Sequence, residues 1–502
     1  MLRPGCPIVP VGPAPTRANR GPGLAALGLL LSSCMVGPDA PSATPVPEST
    51  AIDAAVMGAS ISTSQQPLPR WWTALQDPLL DELVARADHA NQTLAAAVAN
   101  VRAAYAAVGA SEAQLWPTIG AGAQYNRVLT NIAQLASQNV VLEPYDSFAY
   151  GVGLSSWEID LWGGVRRQIE AAKASAESRV DQLRDAMVSV RTQVAANYVQ
   201  LRMLQAQRAA LVSNRDALAT TLSLTRARFS AGTTNALEVS RAQAELDSGD
   251  AQLPQLDAGI ASMVSTIAVL CGGSPSEFAP LLAEHKPVPT VPDVAGIGLP
   301  EELLTRRPDV RAARQRLIAA TAAIGAAEAY RFPKLTLSGN FYIAATGTDG
   351  LSDLSNKAYS FGPSLSLPLF TGGKIDAAVN QKRAEAEAAL AQYRGAILTA
   401  VGDVSASASD FSLARETSRR SGAALASAES ALSLAQQQYD AGLVDYGTLL
   451  DVQRGKLSAQ SAAVEASAAV TQGYVALQRA LGAGWDAEEQ ASGPRRRLTA
   501  TK

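Results

Sequence analysis

Charged residues make up only 17% of this 502-residue chain, against about 25% in an average soluble domain. The 42 Lys and Arg are nearly balanced by 45 Asp and Glu, leaving a net charge of −3. Without a basic surplus for phosphate binding, nucleic acid is excluded as the main partner. Histidine and cysteine are scarcer still. His89, His285, Cys6, Cys34 and Cys271 are the whole set, and no zinc-ligand spacing can be built from them. No nucleophile elbow, phosphate-binding loop or dinucleotide fingerprint stands out. Beyond the amino terminus no window holds 18 consecutive apolar residues, so the sequence offers no transmembrane helix, and any membrane role has to come from strands. Aromatic residues are 5% although 47% of the chain is hydrophobic. The apolar content is therefore small and aliphatic, with alanine dominant. Length alone gives a prior of about three globular domains.

What is present begins with a targeting segment. Arg3, Arg17 and Arg20 precede the apolar run Gly23 to Leu31, far shorter than the roughly 20 residues of a membrane-spanning helix. Residues 1–33 read as a signal peptide. Leu31-Ser32-Ser33-Cys34 resembles a bacterial lipobox, so Cys34 is expected to become the first mature residue, carrying diacylglycerol and an N-acyl chain. No other cofactor and no metal are expected. Met35 is not the Asp that commonly retains lipoproteins at the inner membrane, which makes the outer membrane the expected destination. The Pro/Ser/Thr/Ala-rich stretch 34–68 reads as an extended, lipid-anchored tether.

The remainder is organised by repetition. Leu222-Ser223-Leu224 before Phe229-Ser230-Ala231-Gly232 matches Leu432-Ser433-Leu434 before Tyr439-Asp440-Ala441-Gly442, 210 residues later. Trp116-Pro117 matches Phe332-Pro333, and Gly163-Gly164 matches Gly372-Gly373, in the same order and at nearly the same offset. The sequence thus predicts two repeats, 69–285 and 301–485, joined by a Pro-rich linker at 286–300 and followed by a polar tail at 486–502.

Each repeat has the same grammar. A helical run, Pro78 to Leu115 or Pro300 to Arg331, ends at the aromatic-Pro pair. Two alternating segments come next, predicted as β-hairpins at about 118–157 and 335–369. Ile119, Ala121, Ala123 and Tyr125 alternate with Gly120, Gly122, Gln124 and Asn126, and Phe148, Tyr150, Val152 and Leu154 with Gly151, Gly153 and Ser155. Leu335, Leu337 and Phe341 alternate with Thr336, Ser338 and Asn340, and Tyr359, Phe361, Leu365 and Leu367 with Ser360, Gly362, Ser364 and Ser366. Apolar on one face and small polar on the other is the pattern of a membrane β-barrel, and equally of a soluble sheet with one buried face. The segments after the strands separate the two. Gly164 to Ser230 and Lys374 to Ala441 are proline-free and rich in Ala, Gln, Arg and Glu. Continuous helices of that size run to about 100 Å, more than a compact domain uses, and Ala-rich helices can pair closely as coiled coils. Return helices are predicted at Leu237 to Leu270, kinked at Pro254, and at Leu449 to Leu481.

Two hairpins give four strands per chain, and a sheet in lipid cannot leave its edges unpaired. Known bacterial barrels start at eight strands, so closure requires a dimer of eight or a trimer of 12. Eight strands fill with side chains and larger barrels leave a lumen. The small inward residues favour the trimer.

These features together resemble the TolC-like outer-membrane efflux proteins, in the lipoprotein branch that serves resistance-nodulation-division (RND) multidrug pumps. The resemblance rests on Trp71-Trp72 with Gln76-Asp77-Pro78-Leu79, on Trp157 to Gly163 (WEIDLWG), on Arg306-Arg307-Pro308-Asp309-Val310, on Ser364 to Gly373 (SLSLPLFTGG) and on Tyr439 to Arg454. It implies an α+β membrane protein: a homotrimeric 12-strand barrel in the outer membrane, continued by a periplasmic coiled-coil tunnel with an equatorial domain. It also implies a passive exit duct whose energy comes from an adaptor (membrane fusion protein) and an RND-type inner-membrane pump. An enzyme is not expected. The tips Ala231-Gly232-Thr233 and Ala441-Gly442-Leu443 would receive the adaptor. Asp451 matches an aspartate ringing the periplasmic mouth, Glu238 the acid of the first hairpin, and Tyr439 a tyrosine of a locking network. Gly447 stands where close relatives place a plugging leucine, and Arg454 at a position acidic in some members.

Blander readings stand beside these. Asn235-x-x-Glu238 resembles a helix capping box and Thr448-x-x-Asp451 a shorter-armed one. Trp71 and Trp72 lie far from the strands and suit interior packing, whereas Trp157 and Trp162, at the strand-to-helix change, are candidates for an interfacial girdle. Pro117, Pro333, Pro368 and Gly372-Gly373 suit the turns between strand and helix. Glu158 and Asp160 form a conceivable acid pair with no implied pocket. A structural or adhesive coiled-coil lipoprotein is the alternative function.

Overall fold

The computed structural model describes residues 35–39, 61–62, 69–129, 144–292, 295–296 and 306–485. The signal peptide, Cys34, most of the tether and the tail 486–502 lie outside the described residues. The chain divides into two compact units.

The first unit is built on a four-stranded antiparallel sheet, β1 (Ile119–Val128), β2 (Tyr145–Ile159), β3 (Lys334–Ala345) and β4 (Lys357–Ser366), in that spatial order. Its register sorts side chains by polarity. Ala121 pairs with Val152, Val152 with Phe341, and Phe341 with Tyr359. One step along, Gly120 pairs with Gly153, Gly153 with Asn340, and Asn340 with Ser360. Because strand side chains alternate with period two, one face of the sheet is mainly apolar and the other mainly small and polar, as the alternation predicted, with Tyr342 a large residue on the polar face and Arg127 and Asp146 at the far end of the apolar one. Leu154 pairs with Gly339 but Trp157 with Leu337, so β2 carries one extra residue. This β-bulge keeps Trp157 on the apolar face. Among the described residues β1 and β4 each pair on one side only.

At the foot of β2 the two acids have separate partners. Asp160 accepts from the N–H groups of Val165 and Arg166 at 3.1 and 3.0 Å and from the Arg166 guanidinium at 3.0 Å. Glu158 pairs with Lys334 at 3.1 Å. Each has its own structural partner, and the pair does not form a catalytic dyad. Trp162 stacks on Phe332 and donates its indole N–H to the Pro333 carbonyl, so its ring packs at the junction between the hairpins.

The remaining helices belong to the second unit: α1 (Pro78–Ala90), α2 (Gln92–Glu112), α3 (Gly164–Ser230), α4 (Ala236–Leu270), α5 (Pro275–Leu282), α6 (Pro308–Ala329), α7 (Lys374–Asp440) and α8 (Tyr446–Ala480). α3 and α7, whose first residues lie in the first unit together with the end of α6 from Gly325, are 67 residues each, and α4 and α8 are 35 each. α4 runs through Pro254 without ending. The single run expected from Pro78 to Leu115 is two helices, because Asn91 leaves the helical conformation and its side chain accepts from the N–H of Thr93 and Leu94. Asp77 caps α1 through Leu79 N–H, with Pro78 at the first position, and accepts the Tyr198 hydroxyl at 2.5 Å. That explains the Asp-Pro-Leu motif as a cap tied to α3.

The main core gathers Trp71, Trp72, Leu80, Leu83, Tyr198, Ile267, Phe411 and Tyr474. Trp71 is fully buried and packs edge-on against Trp72 and Tyr474, in agreement with the packing reading. The Arg-Pro-Asp motif has a similar basis. Arg307, nearly buried, donates to the Ala480 carbonyl at 2.8 Å and pairs with Asp309 and Asp403 at 2.7 and 3.0 Å, so it joins the start of α6 to α7 and the end of α8. Gln92–Leu115 and Ala236–Leu270 each contain an 18-residue stretch, of mean hydropathy 1.2 and 1.4, and by length and composition alone both could cross a bilayer. In Gln92–Leu115 alanine is the commonest residue, whereas in Ala236–Leu270 large residues near the carboxyl end, such as Ile260, Val264, Ile267 and Val269, raise the value.

Candidate functional site

The two long helical hairpins turn in the same way. Gly232 and Gly442 have φ of +71° and +72°, a left-handed conformation that favours glycine. Gly232 N–H donates to Phe229 and Thr233 N–H to Arg228, at 3.0 and 2.9 Å. Gly442 and Leu443 repeat the pattern on Tyr439 and Gln438, at 3.0 and 2.8 Å. Both are Schellman ends, which pair the last carbonyls of α3 and α7. All six tip residues, Ala231, Gly232, Thr233, Ala441, Gly442 and Leu443, are exposed, Leu443 by 76%. An exposed leucine at a turn suits contact with another surface better than solvent.

The restarting helices differ from the expected caps. Asn235 accepts the Glu238 N–H at 3.1 Å, as the first capping box requires, but the Glu238 carboxylate takes the Thr234 hydroxyl. In the second hairpin the cap is Asp445, whose carboxylate accepts from the backbone and hydroxyl of Thr448 at 2.8 and 2.7 Å. Those two bonds hold the Asp445 carboxyl below the usual range, with Arg241 nearby adding to the effect. Thr448 is therefore the third helical residue rather than the cap, and Asp451 caps nothing. Counted from the caps, Glu238 is three residues in and Asp451 six. The first-hairpin counterpart of Asp451 is Arg241.

Below the turns the two hairpins pack together through Leu218, Leu222, Ala242, Tyr439, Tyr446, Leu449 and Leu450. The Arg228 guanidinium lies 4.4 Å from the centre of the Tyr439 ring and donates to the Tyr439 carbonyl. The Tyr439 and Tyr446 hydroxyls are buried and have no partner among the described residues, so Tyr439 ties the hairpins through its ring and carbonyl. Burial, with Glu245 next in effect, pushes the Tyr446 hydroxyl up to about 12. Arg454 reaches across to Glu245 on α4 and pairs with both oxygens, which raises the guanidinium further. Asp451 is exposed, and its charge lies close enough to Arg454 to help hold that guanidinium protonated. Sequence reasoning missed Arg228, Asp445 and Glu245. Asp445, the acid three before Thr448, was the readable signal.

The sequence profile of the outer membrane efflux proteins matches residues 83–273 and again 299–483. The pyoverdine export outer membrane protein OpmQ of Pseudomonas aeruginosa is 34% identical over 434 residues, covering 84% of this chain and 88% of that one. The outer membrane protein OprJ of the same organism is 31% identical over 471 residues, covering 92% and 95%. The solved outer-membrane channel OprN superposes with a TM-score of 0.81 at 31% identity, covering 90% of this chain and all of that one. By profile, sequence and fold alike, the chain belongs to the outer membrane efflux protein family.

Proposed function

We propose that the chain is the outer-membrane exit duct of a tripartite efflux system. Three copies close a 12-strand barrel, and their helices continue it as a periplasmic tunnel with an equatorial belt. Drugs or other small molecules, handed over by an RND-type pump and a periplasmic adaptor, pass through it passively. Family members are channels, not enzymes, and the reading asks for no chemistry.

The observation that carries it is the sheet: one face apolar, one polar, two edges open. A single copy could not rest in lipid with the free edges of β1 and β4, since each unpaired backbone group there costs several kcal/mol. Within the second unit the helices are unevenly covered. α6 has a neighbour on either side. It packs Val310, Ala313 and Leu317 against Tyr393 and Ile397 of α7, and it meets α3 through Ser178 to the Ala312 carbonyl and Asp181 to Arg311. α2, its counterpart by element order, meets α3 through Tyr105 to Glu177 and Lys173 to Glu112, and buries only Leu94, Val101 and Val108. Gly163 and Gly164 are buried, whereas Gly372 and Gly373 are exposed. A neighbouring copy that sets its β4 beside β1 would pair the open edges, one that sets its α7 beside α2 would cover that helix, and successive copies would form a closed ring. The recurrence of element order and lengths, with two matches to one profile, supports a duplicated unit of about 210 residues.

Lipidation of Cys34 belongs to the same reading, as do the gate and the docking tips. A triplicated Asp451 around a narrow mouth would attract cations and repel its own copies. Glu238, Tyr439 and Arg454 would set how the tips hold together, and the exposed turns would take the adaptor. The first test is purification with an affinity tag. Native mass should show three copies, and the adaptor and pump should co-purify after mild cross-linking. A monomer without those partners contradicts the reading.

A further inference from the structure

The sequence reads residues 34–68 as an extended, lipid-anchored tether, and Met35 to Gly37 are built into the junction at the foot of β2. Val36 N–H donates to the Trp162 carbonyl at 3.2 Å. Arg167, in the first turn of α3 and only 2% exposed, donates from Nε to the Val36 carbonyl and from Nη2 to the Gly37 carbonyl, each at 3.2 Å. Two glycines make room. A Cβ on Gly37, whose φ is +97°, would lie 2.3 Å from the Gly325 Cα, and one on Gly325 would lie 2.5 Å from the Val36 carbonyl oxygen. Met35 covers Gly163 so closely that a Cβ there would meet its Cα at 3.1 Å. Backbone bonds, a buried arginine and two close glycine approaches define a seat, not a chance touch.

We propose that Met35–Gly37 is a strap that joins the turn from β2 into α3 to the end of α6, and that it delivers the amino-terminal anchor to one fixed point on the wall of the duct. Consecutive Cα atoms are about 3.8 Å apart, so covalent reach alone holds Cys34 next to the residue that covers Gly163. The strap stands on the bonds just described. Only the lipid half rests on reading Cys34 as acylated. A seated anchor behaves differently from a leash: its acyl chains enter the bilayer at the foot of β2 and β3 in every copy, so the lipid helps to set the depth of the sheet. It also gives the buried Arg167 two carbonyl acceptors that come from the amino terminus.

The experiment uses the purified, assembled full chain. Amide hydrogen exchange of Val36 is followed with the β1–β4 amides as a folding control. Val36 is expected to be protected, and Gly37→Val, which lies on the strap and outside the sheet, should speed its exchange by about tenfold or more while the sheet stays protected. Arg167→Gln, which removes two of the bonds, should act in the same direction. Unprotected Val36 in the parent protein, or unchanged protection in both variants, overturns the strap. The second arm feeds cells palmitate carrying a diazirine near its carboxyl end. Irradiation should cross-link it to peptides around 157–167 and 325–335, and Gly37→Val should scatter those products. Scattered products in the parent protein overturn the seating of the lipid. Failure to incorporate the label overturns the acylation, while Val36 exchange still decides the strap.

Discussion

The Trp162 ring stacks on Phe332 with centroids 4.9 Å apart and planes 25° apart, and its indole N–H reaches the Pro333 carbonyl at 2.8 Å. This contact closes the seam between the end of the first hairpin and the start of the second. The counterpart of Phe332 is Trp116, which also precedes a proline and is 74% exposed, and the chain leaving β4 ends in Leu369 and Phe370, exposed by 90% and 91%. If the ring closes as proposed, those exposed groups face one another across the junction between copies. Trp116→Ala and Phe370→Ala should each lower the melting temperature of the trimer while leaving the helical circular dichroism of the chain intact. An aromatic contact of this kind contributes roughly 0.5–1.5 kcal/mol beyond its buried area. Unchanged trimer melting in both variants would show that the seam lies elsewhere.

The facing of the strands can be tested by moving one charge by one residue. Leu365 lies on the apolar face, paired with Leu335, and Ser366 on the polar face, paired with Lys334. Leu365→Arg should cost about 2–4 kcal/mol if it lies near the bilayer midplane, whereas Ser366→Arg should change conductance with little loss of assembly. Equal loss of trimer from both would mean that the faces are wrongly assigned.

That assignment was legible because the signal is periodic and long. Ten residues of alternation, 67 residues without proline and a glycine at each hairpin turn survive any local irregularity. What the sequence hid was decided by single residues. Asn91 splits a helical run because a short amide can cap, a choice that surrounding alanines do not reveal. The β2 bulge between Leu154 and Trp157 exists only relative to its partner strand. Asp445 rather than Thr448 caps α8 because a carboxylate accepts both the backbone N–H and the threonine hydroxyl, so Asp451 loses its structural role and keeps only the proposed electrostatic one. The Met35–Gly37 seat was illegible for another reason: its partners, Trp162, Arg167 and Gly325, are distant in sequence.

Acid should loosen the second tip through Asp445. Its folded carboxyl titrates below the ordinary value because Thr448 bonds the ionised form. Its contribution is therefore complete above the unfolded value of about 3.9 and is lost as pH falls through the lower folded one. Asp445→Asn, which still caps, should remove this pH dependence and keep the turn, while Asp445→Ala should speed amide exchange at Thr448 even at neutral pH. An exchange rate at Thr448 indifferent to both substitutions would refute the cap.

For the anchor, Cys34→Ala should abolish incorporation of labelled fatty acid while the barrel still inserts, because a closed sheet with an apolar face holds itself in lipid. Undiminished acyl labelling of the variant would place the lipid on another residue.

The central claim is that the assembled chain is a conduit with an acidic mouth, and the most direct measurement is single-channel current in a planar bilayer from the parent protein and from Asp451→Ala. The account predicts discrete, cation-preferring steps from the parent, and larger steps with weaker cation preference from the variant, because three shorter side chains obstruct the mouth less and the carboxylates that attract cations are gone. Silent bilayers from both proteins, with insertion of the trimer demonstrated, would contradict the conduit.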